Sequence, residues 1–141
     1  MRDDTYRPHD SADKILAEGK GGLMNNLNSI LIEGTLTGDP LCQTVTDETL
    51  ACTFNIVSVR YERIKGEFKE EVSCFNIETE GKLAECVRDR GKKGRGVRVV
   101  GRLKSYAKNA EIMQPYTVVI VAEHVEFWPE FKKTNSTKKK Q

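Results

Sequence analysis

The sequence predicts an all-β domain: a five-stranded Greek-key barrel with one short helix between its third and fourth strands. Three observations carry this. Apolar residues alternate with period two through five separate stretches, as they do on strands with one buried face. One stretch only, 83–87, shows the wider spacing of a helical stripe. Glycines fall inside two of the strand stretches, at Gly34 and Gly101, where a small barrel bends or coils tightly.

The elements follow in order. In the first strand Ile30, Ile32, Gly34 and Leu36 alternate with Leu31, Glu33 and Thr35, and Gly38-Asp39-Pro40 is turn chemistry. The second strand, about 50–61, puts Cys52, Phe54 and Ile56 on one face. Lys65-Gly66-Glu67 reads as a hairpin tip. The third strand, about 68–79, turns Phe75 and Ile77 inward and Cys74, Asn76 and Glu78 outward. The helix buries Leu83, Ala84, Cys86 and Val87, with Thr79 to cap its start and Gly91 to end it. The fourth strand, from Val97 to about Tyr106, sets Val97, Val99, Gly101 and Leu103 against Arg98, Val100, Arg102 and Lys104. After a turn containing Asn109 and Pro115, the last strand, 116–127, puts Val118, Ile120, Ala122 and His124 on one side. His124 is expected to be a packed or interface residue and Trp128 a plug at the barrel end. Strand, strand, strand, helix, strand, strand is the order of the oligonucleotide-binding barrel, the OB-fold.

Charge is segregated. The chain's formal net charge is +2, yet residues 88–108 hold nine Arg or Lys against one acid, Asp89. A strand with an apolar face and a cationic face is a surface for polyanions, nucleic acid above all. The tail 132–141 adds five Lys and no acid. The domain is expected at 26–128, with a disordered Lys-rich tail at 129–141 and a disordered extension at 1–25. Residues 18–24 (EGKGGLM) are what a purine-rich ribosome-binding site reads as in frame, which sets a native start at Met24 against a genuine N-terminal arm.

No apolar run is long enough to span a membrane and no signal peptide is present, so a cytoplasmic protein is expected. The four cysteines, at 42, 52, 74 and 86, make no zinc pattern with His9 and His124, and all are expected as reduced thiols. No cofactor or metal is expected.

Three motifs, in register across about residues 26–128, resemble the bacterial single-stranded DNA-binding protein (SSB) family. They are the opening strand and turn at 28–40 (NSILIEGTLTGDP), the helix start at 81–85 (GKLAE), and the fourth strand at 92–104 (KKGRGVRVVGRLK). The resemblance implies a homotetramer of OB barrels, nucleoid-associated, that wraps single-stranded DNA in replication, recombination and repair. It implies backbone contacts at Lys69, Lys82, Lys93 and Lys104, another near Lys65, and a stacking ring at Tyr61. Arg98 and Arg102 join them by strand parity alone.

The sequence departs from that pattern elsewhere. Cys74 and Glu80 stand where the family has stacking aromatics, and Asn76 where it often has a base. Lys108 aligns with a missing Trp, with Tyr106 two residues earlier as a substitute. Stacks are worth roughly 1–3 kcal/mol each, so the departures imply weaker, more electrostatic binding, unless Phe68 or Tyr106 restores stacking. The family's acidic C-terminal tip, which recruits replication and repair proteins, has no match in Lys138-Lys-Lys-Gln141.

Two other functions are weighed. A nuclease on the same barrel would need a carboxylate or His constellation, and only Glu78 and Glu80 pair on one face. A specialised OB-fold paralogue, with a primosomal, RNA-binding or adaptor role and weakened DNA binding, is the alternative kept open by the acids of the third strand.

Overall fold

Alternation of apolar side chains builds the strands here, and their pairing bends the sheet until it meets itself. The computed structural model describes residues 23–107 and 116–130. The expectations for most of the N-terminal extension, for Lys108 and the turn after it, and for the tail beyond 130 lie outside the described residues.

The elements are β1 (Ile30–Leu36), β2 (Leu41–Thr44), β3 (Leu50–Ile64), β4 (Glu67–Glu80), the helix α1 (Lys82–Arg90), β5 (Gly96–Ala107) and β6 (Tyr116–Phe127). The sheet order is β1-β5-β6-β4-β3-β2, and β1 also pairs with β3. That extra pairing closes five strands into a barrel. β1 runs antiparallel to β5, with Leu31 opposite Val100 and Glu33 opposite Arg98. It then crosses to β3, with Thr35 opposite Val57 and Leu36 opposite Ile56. β4 and β6 pair in parallel at Ile77 and Ile120.

The expected topology needs one amendment. β2 is an additional short strand on the outer side of β3, so the helix lies between the fourth and fifth of six strands. Four residues with polar Gln43 and Thr44 carry too little alternation to announce a strand. β2 also overturns the expectation for the cysteines. It places Cys42 directly opposite Cys52, with Cα atoms 4.1 Å apart, and the two form a disulfide. Cys74 and Cys86 remain free thiols.

The barrel core comprises Leu36, Phe54, Ile56, Ile77, Val97, Val99, Ile120, Ala122 and Val125, with Ala84 and Val87 of α1 closing one end. Phe75 packs against it, as its parity predicts. Thr79 does not cap α1. Its buried Oγ1 turns inward and donates to the Cys52 carbonyl at 2.8 Å, and the helix starts from Gly81 at φ +71°. Gly91 does end the helix, its N–H donating to the Val87 carbonyl at 2.8 Å. His124 is exposed, contrary to the parity reading. Along β6 the alternation slips, with Val119 and Ile120 both buried and Val125, not His124, taking the next inward place.

Contacts divide the chain into two units: 29–104 with 119 onward, which holds the barrel, and a smaller one of 105–118 with the N-terminal residues through Asn28. In the smaller unit Leu23, Met24 and Leu27 are exposed, and Tyr106 lies on the outer end of β5.

Gly101 marks where two strands approach most closely. A Cβ there would sit 2.2 Å from the Val121 carbonyl oxygen. Gly101→Ala is therefore expected to destabilise the domain by about 1–3 kcal/mol or more. Gly38→Ala, where an added Cβ meets nothing within 4 Å, is expected to be close to neutral. Urea unfolding of both variants checks the contrast. Titrating unfolded, unreduced protein with a thiol reagent should find Cys74 and Cys86 only; four reacting thiols would contradict the bridge.

Candidate nucleic-acid interface

β3 and β4 outrun the barrel. They stay in register from Ala51–Glu80 to Ile64–Glu67, and the residues beyond Ser58 and Ser73 are exposed on both strands. The result is a projecting two-stranded arm. Its tip is a two-residue turn, Lys65 and Gly66, at φ +52° and +83°, the type I′ geometry whose twist matches that of the strands it joins.

Strand parity sorts the arm into two faces. One carries Val57–Cys74, Val59–Val72, Tyr61–Glu70 and Arg63–Phe68 as directly opposed pairs. The other carries Ser58–Ser73, Arg60–Glu71 and Glu62–Lys69. On the first face Phe68 is 73% exposed and Tyr61 65%. The Arg63 guanidinium lies 5.3 Å from the centroid of the Phe68 ring, a cation–π contact that orients the ring without covering it. Large exposed aromatics cost solvation and are informative when clustered. Diagonal positions on one face bring Tyr61 and Phe68 within reach of each other. The arm between residues 58 and 74 holds four basic side chains (Arg60, Arg63, Lys65, Lys69) and four acidic ones (Glu62, Glu67, Glu70, Glu71).

Towards the barrel the same outer face of β4 continues through Cys74, Asn76, Glu78 and Glu80. Asn76 is exposed opposite Asn55. Lys82 is exposed at the first residue of α1.

The basic row of β5 is less free than its count suggests. Arg98 is flanked by acids on both sides, with Glu33 at 3.5 Å and Glu126 at 4.0 Å. Arg88 pairs with the adjacent Asp89 at 3.1 Å. Lys92 and Arg95 hold Glu130 at 2.7 and 3.6 Å. Lys93 is exposed, its backbone N–H fixed by the Asp39 carboxylate at 2.9 Å. Arg102 and Lys104 are exposed on the outer part of β5. Among the sequence-predicted residues, Tyr61, Lys65 and Lys69 thus gather on the arm, and Arg98, Arg102 and Lys104 on β5. Tyr106 belongs to the smaller unit. Arg63 was not among the predicted site residues, and Phe68 was named only as a ring that could restore stacking. The signal that finds them is the hairpin register: once Lys65-Gly66 is the turn, Arg63 must face Phe68.

The Lys92 hydrogen bond and charge, with a smaller contribution from Arg95, hold the Glu130 carboxyl below its ordinary range. A depressed carboxylate pKa means the contact is complete above the usual glutamate range and is lost only as pH falls through the lowered value. An NMR titration should accordingly place Glu130 below the ordinary glutamate value, and Lys92→Gln should move it back towards that value.

A closed five-stranded OB-type barrel with a cationic strand and an aromatic arm defines a class of nucleic-acid-binding modules. The chain belongs to the single-strand binding protein family, whose model matches residues 27–128. That family consists of binding proteins and not enzymes. The single-stranded DNA-binding protein of Aquifex aeolicus is 37% identical over 100 residues, covering 70% of this chain and 68% of that protein. Single-stranded DNA-binding protein 2 of Chlorobaculum tepidum is 34% identical over 113 residues, covering 78% and 76%. Among solved structures, the Plasmodium falciparum SSB complex with ssDNA superposes with a TM-score of 0.66 at 18% identity, over 75% of this chain and 98% of that one. The wild-type single-stranded DNA-binding protein of Thermus aquaticus gives 0.63 at 22% identity, over 73% of this chain. This chain spans 50% of that protein's length.

Proposed function

We propose that this protein binds single-stranded DNA without sequence preference, through cationic contacts to the backbone and stacking of bases on aromatic rings. The observation that carries the reading is the exposed Tyr61–Phe68 face on the arm, with Arg63 on the same face, Lys65 at the tip and Lys69 on the opposite face. Flat rings accept any base, and lysine and arginine side chains accept any phosphate, so such a surface is indifferent to sequence. Membership of the single-strand binding family supports the same conclusion. The cellular setting follows from it: protection of bare strands in replication, recombination and repair, in the cytoplasm at the nucleoid. No helix among the described residues is long and apolar enough to cross a membrane.

Assembly into a homotetramer belongs to this reading. Leu31 on β1 is 68% exposed, beside the half-buried Val100, and an apolar strand face of that kind is suited to a second copy. Partners among replication and repair proteins are not carried over with it.

The acids of β4 favour a second reading. Glu78 and Glu80 line the outer face towards the barrel, and Glu70 stands opposite Tyr61. A strand laid there meets repulsion, which suits a specialised paralogue with weakened DNA binding. The two readings part in a salt series of poly(dT) binding alongside duplex DNA and RNA of equal length, with mass from light scattering. The first requires preference for single-stranded DNA and an affinity that falls as salt rises.

Tyr61→Ala and Phe68→Ala are each expected to weaken poly(dT) binding by about 1–3 kcal/mol, about 5- to 150-fold, with little change in the salt slope. Lys69→Ala should instead flatten the slope. Anisotropy titrations at several salt concentrations separate the two effects; rings that leave affinity unchanged when removed would refute the stacking role.

A further inference from the structure

Trp128 is the chain's single tryptophan, and neither the arm nor the cationic row of β5 accounts for it. Its ring rests on the backbone of Gly96, where an added Cβ would sit 2.4 Å from Cε3 and 2.8 Å from Cδ2. The Trp128 N–H donates to the Gly96 carbonyl at 3.0 Å, which fixes the residue at the end of β6. The residue is nevertheless 43% exposed. It is therefore half a plug and half an open surface. A plug alone would be better served by a smaller, wholly buried side chain.

The exposed part borders a cleft of about 470 Å³ lined by Lys92, Lys93, Arg95, Trp128 and Glu130, a volume within the range of sites that hold small ligands. Three cations face one anion there. Arg95 is preorganised. Its Nε donates to the Trp128 carbonyl at 3.1 Å and its Nη1 to the Arg90 carbonyl at 2.9 Å, and its guanidinium lies 5.3 Å from the centre of the Phe127 ring. Its side chain is only 17% exposed, so little freedom remains to be lost on binding. The Glu130 carboxylate takes the position between Lys92 and Arg95 that an oxyanion would take. An exposed ion pair of this kind is easily exchanged, because water screens it.

We propose that this cleft is a second nucleotide contact, sharing no residue with the arm. One base of a single strand stacks on Trp128, and the adjoining phosphate replaces the Glu130 carboxylate on Lys92 and Arg95. The contact rests on the single-stranded DNA reading and adds a location to it. Glu130 acts as an internal competitor: it offsets part of the cleft's positive charge when no strand is present and sets a threshold for occupying it. Removing that competitor should tighten binding, an effect that a purely structural role for the ion pair would not produce.

The single tryptophan makes the test direct. End-labelled oligothymidylate is titrated with the full chain, following label anisotropy and tryptophan emission together. The expected result is a change in Trp128 emission that tracks the anisotropy to the same saturation point. Trp128→Leu, which keeps an apolar cover on Gly96, should weaken binding about fivefold or more. Glu130→Gln should strengthen it about twofold or more and raise the salt concentration at which the complex dissociates. Saturating anisotropy with unchanged tryptophan emission overturns the proposal and leaves the arm as the binding surface. So does an unaltered affinity in Glu130→Gln, a surface change that the fold tolerates. No anisotropy rise at all would overturn the DNA-binding reading and this contact with it.

Discussion

Closure of the sheet by β1 is the constraint on which the other features depend. β1 gives one stretch of backbone to β5 and its last residues to β3, so a ladder that would end in two edges ends in one. The close crossings this demands leave no room for side chains. At Gly34 a Cβ would meet the Val57 carbonyl oxygen at 2.5 Å, and Gly101 is tighter still. Backbone meets backbone there. The branched side chains of Val97, Val99, Ile56 and Ile77 then fill a small interior. The remaining open edge is taken by β2, which a disulfide ties to β3. Cys52 Sγ lies 3.3 Å from the Ala84 carbonyl oxygen, so the bridge sits against α1.

The rigid barrel makes the arm affordable. A two-stranded hairpin alone is marginal in water. Here the same two strands are clamped at their base, where Phe54, Ile56 and Ile77 are buried, and the pairing continues outward from that clamp. Its outer part is therefore free to carry side chains chosen for something other than burial. Tyr61 and Phe68 add nothing to the core; the proposed function gives them a task there. The same holds for Trp128, which covers Gly96 with part of its ring and offers the rest to solvent.

Most of the barrel was legible because it is written in period-two alternation. The strand boundaries around Ile30, Phe54, Ile77 and Val99 follow from that pattern, and Lys65-Gly66 announces its own turn. β2 was not legible, since four residues of mixed polarity have no periodicity to detect, and the Cys42–Cys52 bridge was hidden with it. Thr79 was misread because a hydroxyl near a helix start can cap or turn inward, and only the buried Cys52 carbonyl decides. His124 does not pack inward, because the alternation slips along β6. On the interface, lysines could be counted but not their neighbours: Glu33, Glu126 and Glu130 come from distant segments and engage Arg98, Lys92 and Arg95 only once the barrel has formed. The pairing of Phe68 with Arg63 required the register.

Under the proposed function, the balanced charge of the arm divides the work of capture from that of retention. Equal numbers of acids and bases give it almost no reach beyond a Debye length, so it cannot draw a polyanion from afar. On that reading, encounter falls to the cationic residues outside the arm, Lys93, Arg102 and Lys104 of the β5 region among them, and its rate responds to ionic strength. Once a strand arrives, the proposed stacking on Tyr61 and Phe68 would set how long it stays. A protein arranged in this way would gain residence time without becoming indiscriminately sticky towards every polyanion it meets.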